Sequence, residues 1–236
     1  MTLGVRIWRG VLWLFCTRLL LLLFTICLRV RVVYYHPLPR EGFIVASNHI
    51  SHFDPPMIGS YFRRRIDWLG MTELFKGKLL HGLFTSLGVI PIDRHGKDRT
   101  ALREAVKRLK AGRVVGIFPE GGIRDSDASI VNGARMKAGV AVLAGLSGAP
   151  ILPAVILGSD RLYNAKNWLP WRGGRVWIGF GEPITAPADL AGEEKRAYLE
   201  RTLAERIIAT KDHLYKDFSL SEADLPHSPQ QRMREP

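Results

Sequence analysis

Two histidines and an aspartate stand within six residues of one another in the segment SNHISHFDPP, residues 47–56. The segment follows the apolar run FIVA, so these polar side chains lie where a buried strand is expected to end. A carboxylate bonded to an imidazole fixes the tautomer of the ring and raises its basicity, and the ring can then take a proton from a hydroxyl. His49 precedes Asp54 by five residues, which lets a tight turn bring them together, whereas His52 is expected to point elsewhere.

Two other interpretations of this cluster stay open on its residues alone. Asp54 followed by proline has the form of a helix N-cap with proline in the first turn, although a cap leaves both histidines unexplained. A metal site could use His49, His52 and Asp54 as ligands, but the other histidines nearby in the chain are isolated and offer no further ligand cluster. The cluster by itself therefore does not decide between a cap and a general-base pair.

The elements that must position this cluster follow an alternating pattern. Strands are predicted at residues 43–47, 89–92, 113–118, 150–157 and 175–181, of which the last alternates like an edge strand. Helical patterns lie between them: from the prolines at 55–56, at 72–88, at about 98–112, within 136–148 and at about 193–218. Strands that alternate with helices predict a single α/β domain, and residues 219–236 have the composition of a disordered tail.

Polar clusters follow or interrupt four of these strands. They are the histidine segment, Asp93-Arg94, the turn at 119–122, and Pro153 inside the fourth run. In open α/β sheets, ligands bind beyond the carboxyl ends of the strands. We therefore expect clusters that are distant in the chain to converge on one site.

The N-terminal segment has the composition of a membrane anchor. Residues 11–28 are apolar except for Arg18 and two threonines, and the run ends in RVRVVYYH rather than in a cleavage site. Eighteen residues barely span a bilayer, and Arg18 near the middle fits a helix that lies in one leaflet better. We predict an anchor over residues 1–35 with its topology undecided. The two cysteines, Cys16 and Cys27, both lie in it, which favours a reducing compartment.

The charge indicates a polyanionic partner. The formal net charge is +12 and the isoelectric point is near 10.1, which suits nucleic acid, an anionic membrane face or a phosphorylated substrate. No RNA- or DNA-binding motif is visible, so we expect no nucleic-acid partner. Basic residues at 63–65, Lys76 and Lys78 would suit an anionic lipid surface beside the anchor.

Four motifs in order along residues 40–185 resemble those of the glycerolipid acyltransferase family, whose members include 1-acylglycerol-3-phosphate acyltransferases. The first is Asn-His, four residues, then Asp, at 48–54; the second is GVIPIDR, with Gly88, Ile90 and Arg94. The third is FPEG at 118–121, and the fourth is the apolar-Pro-apolar run at 152–154. The third motif usually continues with Thr-Arg, whereas this chain has Gly122-Ile123 and then Arg124. Lys137 and Gly139 match the Lys-x-Gly that follows it in the family.

The resemblance implies a fold and a reaction. The fold is a single acyltransferase domain at 36–218, with a mixed sheet flanked by helices, after an N-terminal membrane-anchor helix. The reaction transfers an acyl chain from acyl-CoA or an acyl carrier protein to the free hydroxyl of 1-acyl-sn-glycerol 3-phosphate (lysophosphatidic acid), giving phosphatidic acid. His49 is the implied base and Asp54 orients it, with no cofactor and no metal. The implied substrate-binding residues are Asn48, Arg94, Glu120, Gly121, Gly122, Arg124 and Lys137.

Two alternatives to that activity are kept. The altered third motif leaves room for another lyso-lipid or a non-phosphate acceptor. A basic membrane-binding protein without catalysis would also fit the charge, but it gives no reason for the histidine cluster. In either enzymatic case we expect the protein at an anionic membrane, with its active site facing the cytoplasm.

Overall fold

The computed structural model describes residues 3–93, 99–169 and 174–234, and a seven-stranded sheet forms its centre. The strands are β1 Leu28–Tyr34, β2 Phe43–Ser47, β3 Ile66–Met71, β4 Ile90–Ile92, β5 Val114–Ile117, β6 Ile151–Leu157 and β7 Gly174–Phe180. The helices are α1 Leu3–Cys27, α2 Asp54–Tyr61, α3 Lys78–Leu87, α4 Arg99–Lys110, α5 Gly139–Ser147, α6 Gly192–Phe218 and α7 Pro229–Arg234.

The sheet is mixed, as predicted. Its strand order is β1-β7-β6-β2-β5-β3-β4, and β6 and β7 are the antiparallel neighbours, whereas the other neighbouring pairs are parallel. The prediction that β7 is an edge strand is wrong, because β1 pairs along its outer side from Leu28 opposite Gly174 to Tyr34 opposite Phe180. Because β2, β5, β3 and β4 are parallel neighbours, their carboxyl ends lie at one edge of the sheet.

The two faces of the sheet are covered by different helices. In β2, Phe43 and Val45 point to one side, and Ile44 and Ala46 point to the other. The first side, here called the α1 face, packs against α1 and α2. The opposite side, called the α4 face, packs against apolar residues of α4, α5 and α6. Burial on both faces explains why β2 is apolar throughout rather than alternating.

The N-terminal helix ends earlier than the predicted anchor. α1 stops at Cys27, and Leu28–Tyr34 forms a strand of the sheet, so the predicted boundary at residue 35 is corrected. Phe24 is 1% exposed and lies with its ring 6.2 Å from that of Trp168, which fastens the end of α1 to the domain. Ile7–Cys27 is nevertheless long and apolar enough to cross a membrane, and most of its apolar side chains are exposed.

The segment predicted as one helix at 72–88 forms two shorter elements. A 3-10 turn covers Thr72–Phe75, and α3 begins at Lys78 after Gly77, whose positive φ of 85° interrupts the helix. The predicted end is correct, because Gly88 adopts the left-handed conformation with φ 84°.

The C-terminal segment is packed against the domain rather than disordered. Arg232, in α7, is 1% exposed, and its Nε donates to Asp160 Oδ2 at 2.6 Å. The backbone N–H of His227 donates to the same oxygen at 2.9 Å. The polar composition of residues 219–236 suggested disorder. Its contact with Asp160 could not be predicted from that composition, because Asp160 lies far away in the chain. For residues 219–234 the prediction of a disordered tail is therefore wrong.

Candidate active site

His49 and Asp54 form a hydrogen-bonded pair beyond the end of β2. His49 Nδ1 lies 2.8 Å from Asp54 Oδ2, and the Asp54 side chain is fully buried. The same oxygen accepts the backbone N–H groups of Ile50 at 2.7 Å and Ser51 at 2.9 Å. Asp54 is the first residue of α2, but its carboxylate turns back toward the preceding loop and does not cap the helix. The loop thus folds onto the carboxylate as the five-residue spacing predicts.

Ser159 completes the surroundings of the carboxylate. Its hydroxyl donates to Asp54 Oδ1, and it begins the 3-10 turn Ser159–Tyr163 that follows β6. Both Asp54 oxygens therefore accept hydrogen bonds from buried protein donors. The His49 Nδ1 is then the protonated nitrogen of the neutral ring, and Nε2 has the lone pair.

Aromatic stacking fixes the plane of the His49 ring. The ring stacks on Phe118, with centroids 4.1 Å apart and planes 20° apart, and Phe118 stacks in turn on Trp68 at 4.7 Å. The imidazole Nε2 has no hydrogen-bond partner among the described residues, and 16% of the side chain is exposed. The site thus presents an oriented imidazole with one open nitrogen, as a general base requires.

His52 lies apart from this pair. Its Nδ1 is 2.7 Å from the hydroxyl of Tyr163, and the two rings meet edge to face. The side chain is largely exposed and does not contact Asp54. Of the two histidines in the segment, only His49 is bonded to the carboxylate.

Glu120, predicted to bind substrate, is directed into the protein instead. Its Oε2 accepts the backbone N–H of His49 at 2.5 Å, and its Oε1 accepts Ser129 Oγ and the N–H of Ile130, each at 2.8 Å. Burial raises the pKa of Glu120 to about 7, and these donors oppose the rise. The carboxylate is 4% exposed and ties the loop after β5 to the backbone of His49, and its role in substrate binding stays a prediction.

Asn48 is likewise part of the scaffold. It is fully buried; its side-chain amide donates to Ile156 O at 2.9 Å, and its amide oxygen accepts from Ile156 N at 2.8 Å. These two bonds fasten the end of β2 to β6 next to His49. Substrate binding by Asn48 stays a prediction, and the structure shows its side chain fully buried and hydrogen-bonded to the backbone of β6.

Comparison with known proteins decides the family. A family model described as Acyltransferase matches residues 29–157, which is more than half of the chain. The chain belongs to the acyltransferase family. The resemblance noted in the four motifs is thereby confirmed.

Relatives of this acyltransferase agree with the match. A 1-acyl-sn-glycerol-3-phosphate acyltransferase of Bacillus subtilis is 26% identical over 197 residues, which cover 82% of this chain and 94% of that protein. An N-acylphosphatidylethanolamine synthase of Arabidopsis thaliana is 30% identical over 128 residues, 50% of this chain and 43% of that protein. The crystal structure of the 1-acyl-sn-glycerophosphate (LPA) acyltransferase of Thermotoga maritima is similar at a TM-score of 0.63 and 25% identity, covering 86% of this chain and 81% of that one.

Four other predicted site residues of the acyltransferase, Gly121, Gly122, Arg124 and Lys137, are half-buried or exposed. Gly121 has φ 67°, and a Cβ at this position would lie 2.5 Å from Lys137 Nζ, so the lysine side chain passes directly over the turn. Gly122 follows in the same turn. Arg124 donates its backbone N–H to His49 O at 2.8 Å, while its guanidinium is exposed. Arg94 lies outside the described residues, so the structure does not place it.

The metal interpretation finds no ligand set in the described part of the acyltransferase. No group of three or more His, Cys, Asp or Glu side chains that could hold an ion occurs there. His49 and Asp54 form a hydrogen bond with each other, and His52 forms one with Tyr163. The hydrogen bond between His49 and Asp54 is also the arrangement that the general-base interpretation predicts.

The contacts of the site that the sequence did not predict are those between residues far apart in the chain. Ser159 lies one residue beyond the glycine that ends the fourth strand run, and neither its bond to Asp54 nor the inward direction of Glu120 follows from a local pattern. The position of Ser159 just past a strand end was the signal that could have suggested it.

The raised pKa of Glu120 predicts a pH dependence of stability. Its pKa in the folded protein, about 7, exceeds the ordinary value of 4.5 for a glutamate, so between these values the folded state holds a proton that the unfolded state has lost. This contribution is complete below pH 4.5 and is lost as the pH rises through about 7, with a total of up to about 3 kcal/mol. Urea titrations in detergent at pH 5 and pH 8 should show this loss in the wild type and not in Glu120→Gln.

An exposed carboxylate supplies the control. Glu194→Gln, in the first turn of α6, should leave the pH dependence of the wild type unchanged. If the free energies of unfolding of the wild type and Glu120→Gln differ by the same amount at both pH values, Glu120 does not titrate between them and this prediction is wrong.

Proposed function

We propose that this acyltransferase transfers an acyl chain from a thioester to the free hydroxyl of 1-acyl-sn-glycerol 3-phosphate, giving phosphatidic acid. The observation that supports it most is the His49–Asp54 pair with an open Nε2. The names of the relatives from Bacillus subtilis and Thermotoga maritima support this acceptor.

The pair acts by proton transfer. His49 Nε2 takes the proton of the acceptor hydroxyl while its oxygen bonds to the thioester carbonyl carbon, and the imidazolium returns that proton to the thiolate when the C–S bond breaks. Asp54 stabilises the imidazolium and keeps Nδ1 protonated, and Ser159 and the loop N–H groups hold Asp54. No covalent acyl-enzyme is needed. A base of this kind contributes about 10²- to 10⁴-fold.

The phosphate of the acceptor is assigned to cations around this pair. Arg94 follows Asp93 in the second motif, and a guanidinium fork matches the oxygens of a phosphate. Lys137 and the exposed Arg124 lie on the turn beside His49 and can add charge there. A salt bridge from Arg94 to Asp93 is the structural alternative.

The acceptor is tested at Arg94. Arg94→Ala should lower kcat/KM about 10- to 100-fold on 1-acylglycerol 3-phosphate and far less on the dephosphorylated monoacylglycerol, since a charge-assisted hydrogen bond is lost. Arg94→Lys should restore only part of the lost kcat/KM, because an ammonium keeps the charge without the bidentate geometry. The three enzymes are assayed on both acceptors. Equal losses on the two would mean that Arg94 supports the fold and that another lyso-lipid or a neutral acceptor must be considered.

We infer that the exposed surfaces of α1 and α3, which cover the α1 face of the sheet, rest on the membrane. α1 exposes a nearly continuous apolar surface, and α3, which packs against α1, exposes Leu79 and Leu80 next to Lys76 and Lys78. Apolar side chains flanked by lysines suit an anionic bilayer. Arg18 is exposed on α1 and can reach lipid phosphates if the helix lies in the cytoplasmic leaflet. The active site then faces the cytoplasm.

The arginines at 63–65 contribute less to such a surface than their sequence suggests. Arg64 donates to the carbonyl oxygens of Glu41 and Gly112, and Arg65 donates to that of Ser86 and lies 3.7 Å from Asp67. Two of the three guanidinium groups are thus used inside the protein.

A further inference from the structure

A row of cations runs along the outer side of α4. Arg99, Arg103, Lys107 and Lys110 are all exposed, and their spacing of four, four and three residues puts them on one side of the helix. None of the four pairs with an acidic side chain in the described part of the chain. Glu104 on the same helix pairs with Arg108 instead, at 2.8 Å.

An apolar floor accompanies the charges. Leu102, Val106 and Leu146 line an open groove of about 670 Å³ together with the four cations, and we call it the α4 groove. Leu146, from α5, is 56% exposed. Apolar side chains bordered by unpaired charges are typical of a surface that binds another macromolecule.

The position of the groove argues against a lipid occupant. The exposed apolar surfaces of α1 and α3 belong to the α1 face, and the α4 groove lies across the sheet from it. When α1 and α3 contact the bilayer, the α4 groove remains in the aqueous phase. The positive charge then calls for an acidic soluble partner.

The groove also begins at the sheet edge where the active site lies. α4 follows β4, and β4 runs parallel to β3, β5 and β2, so the N-terminal end of α4 lies toward the same sheet edge as His49. The row from Arg99 to Lys110 then extends about 16 Å away from that edge. A protein docked along it can present a thioester on a flexible arm to the site.

We propose that the α4 groove docks an acidic helix of an acyl carrier protein that delivers the acyl chain. This proposal rests on the proposed function and assigns its donor. Acidic side chains of the carrier pair with the cations of α4, and an apolar side chain packs on Leu102, Val106 and Leu146. The bond changes at His49 remain those described above.

The test compares two donors with the same acyl chain. Arg103→Glu/Lys107→Glu should lower kcat/KM for the acyl carrier protein donor at least about tenfold, mainly through KM, because two attractive contacts become repulsive. Its kcat/KM for acyl-CoA should change less than about threefold. Higher salt should lower the kcat/KM of the wild type far more with the acyl carrier protein donor than with acyl-CoA. Arg201→Glu/Lys216→Glu reverses two exposed charges of α6, on the same face of the sheet, and should leave both donors unaffected.

Each other outcome overturns the proposal in a recognisable way. Equal losses with both donors would assign the groove to coenzyme A or to the fold. Loss of binding of the Arg103→Glu/Lys107→Glu variant to phosphatidylglycerol vesicles would assign it to the membrane. A wild type that uses only acyl-CoA would also contradict the proposal while leaving the acyl transfer intact. Transfer from neither donor to any lyso-lipid would instead contradict the proposed function itself.

Discussion

His49→Ala is expected to lower kcat for acyl transfer about 10²- to 10⁴-fold, whereas His52→Ala should stay within a few-fold of the wild type. His49 Nδ1 is bonded to the buried Asp54 and its Nε2 is open, whereas His52 is exposed and bonded to Tyr163. The measurement is release of free thiol from the donor with lysophosphatidic acid as acceptor. Circular dichroism and thermal unfolding show whether each variant is folded.

His52→Ala is the matched control, since it removes an imidazole three residues away from the same loop. A loss of activity in His52→Ala together with an active His49→Ala would reverse the assignment of the base. Asp54→Asn should behave differently from His49→Ala, because an amide cannot accept all the bonds that Asp54 accepts. It should lower activity and also destabilise the loop.

Arg232→Ala is expected to destabilise the folded state by about 3–5 kcal/mol. The change leaves Asp160 fully buried with the N–H of His227 as its remaining donor. Burial raises the pKa of Asp160, and the guanidinium of Arg232 opposes that rise. Urea unfolding in detergent at pH 8 gives the free energy of unfolding.

Two further variants make that result specific to the buried pair. Arg234→Ala removes an exposed arginine from the same short helix and should change stability by less than about 0.5 kcal/mol. Asp160→Asn/Arg232→Gln removes both charges and should recover part of the loss, because no unpaired charge is left inside. If Arg232→Ala and Arg234→Ala were equally stable, the packing of α7 would not depend on the pair.

The buried pair also bears on the active site. Asp160 is the neighbour of Ser159, whose hydroxyl bonds to Asp54, and both lie in the 3-10 turn after β6. Arg161 of the same turn pairs with Asp224 at 2.7 Å. The C-terminal segment thus holds the turn that supports the carboxylate of the pair, so loss of Arg232 is expected to lower activity as well as stability.

The alternation of strands and helices was predictable because it depends on local sequence. Apolar runs such as FIVAS are long enough for one buried strand, and the glycine at 88 marks a helix end that the structure contains. The order of strands in the sheet was not predictable in the same way. β1 occupies the edge and β7 lies inside it, because the pairing of residues 146 positions apart, such as Leu28 and Gly174, depends on how the whole chain closes.

The same division runs through the active site. The sequence of the histidine segment by itself left a helix cap and a His49–Asp54 pair open, and the four motifs in order, through their resemblance to the family, favoured the pair. The tertiary structure alone decided what supports the pair. Ser159 meets Asp54 from 105 residues away, and Asn48 meets Ile156 across 108. Such contacts depend on which strands become neighbours, and a periodicity of two or 3.6 residues has no information about that.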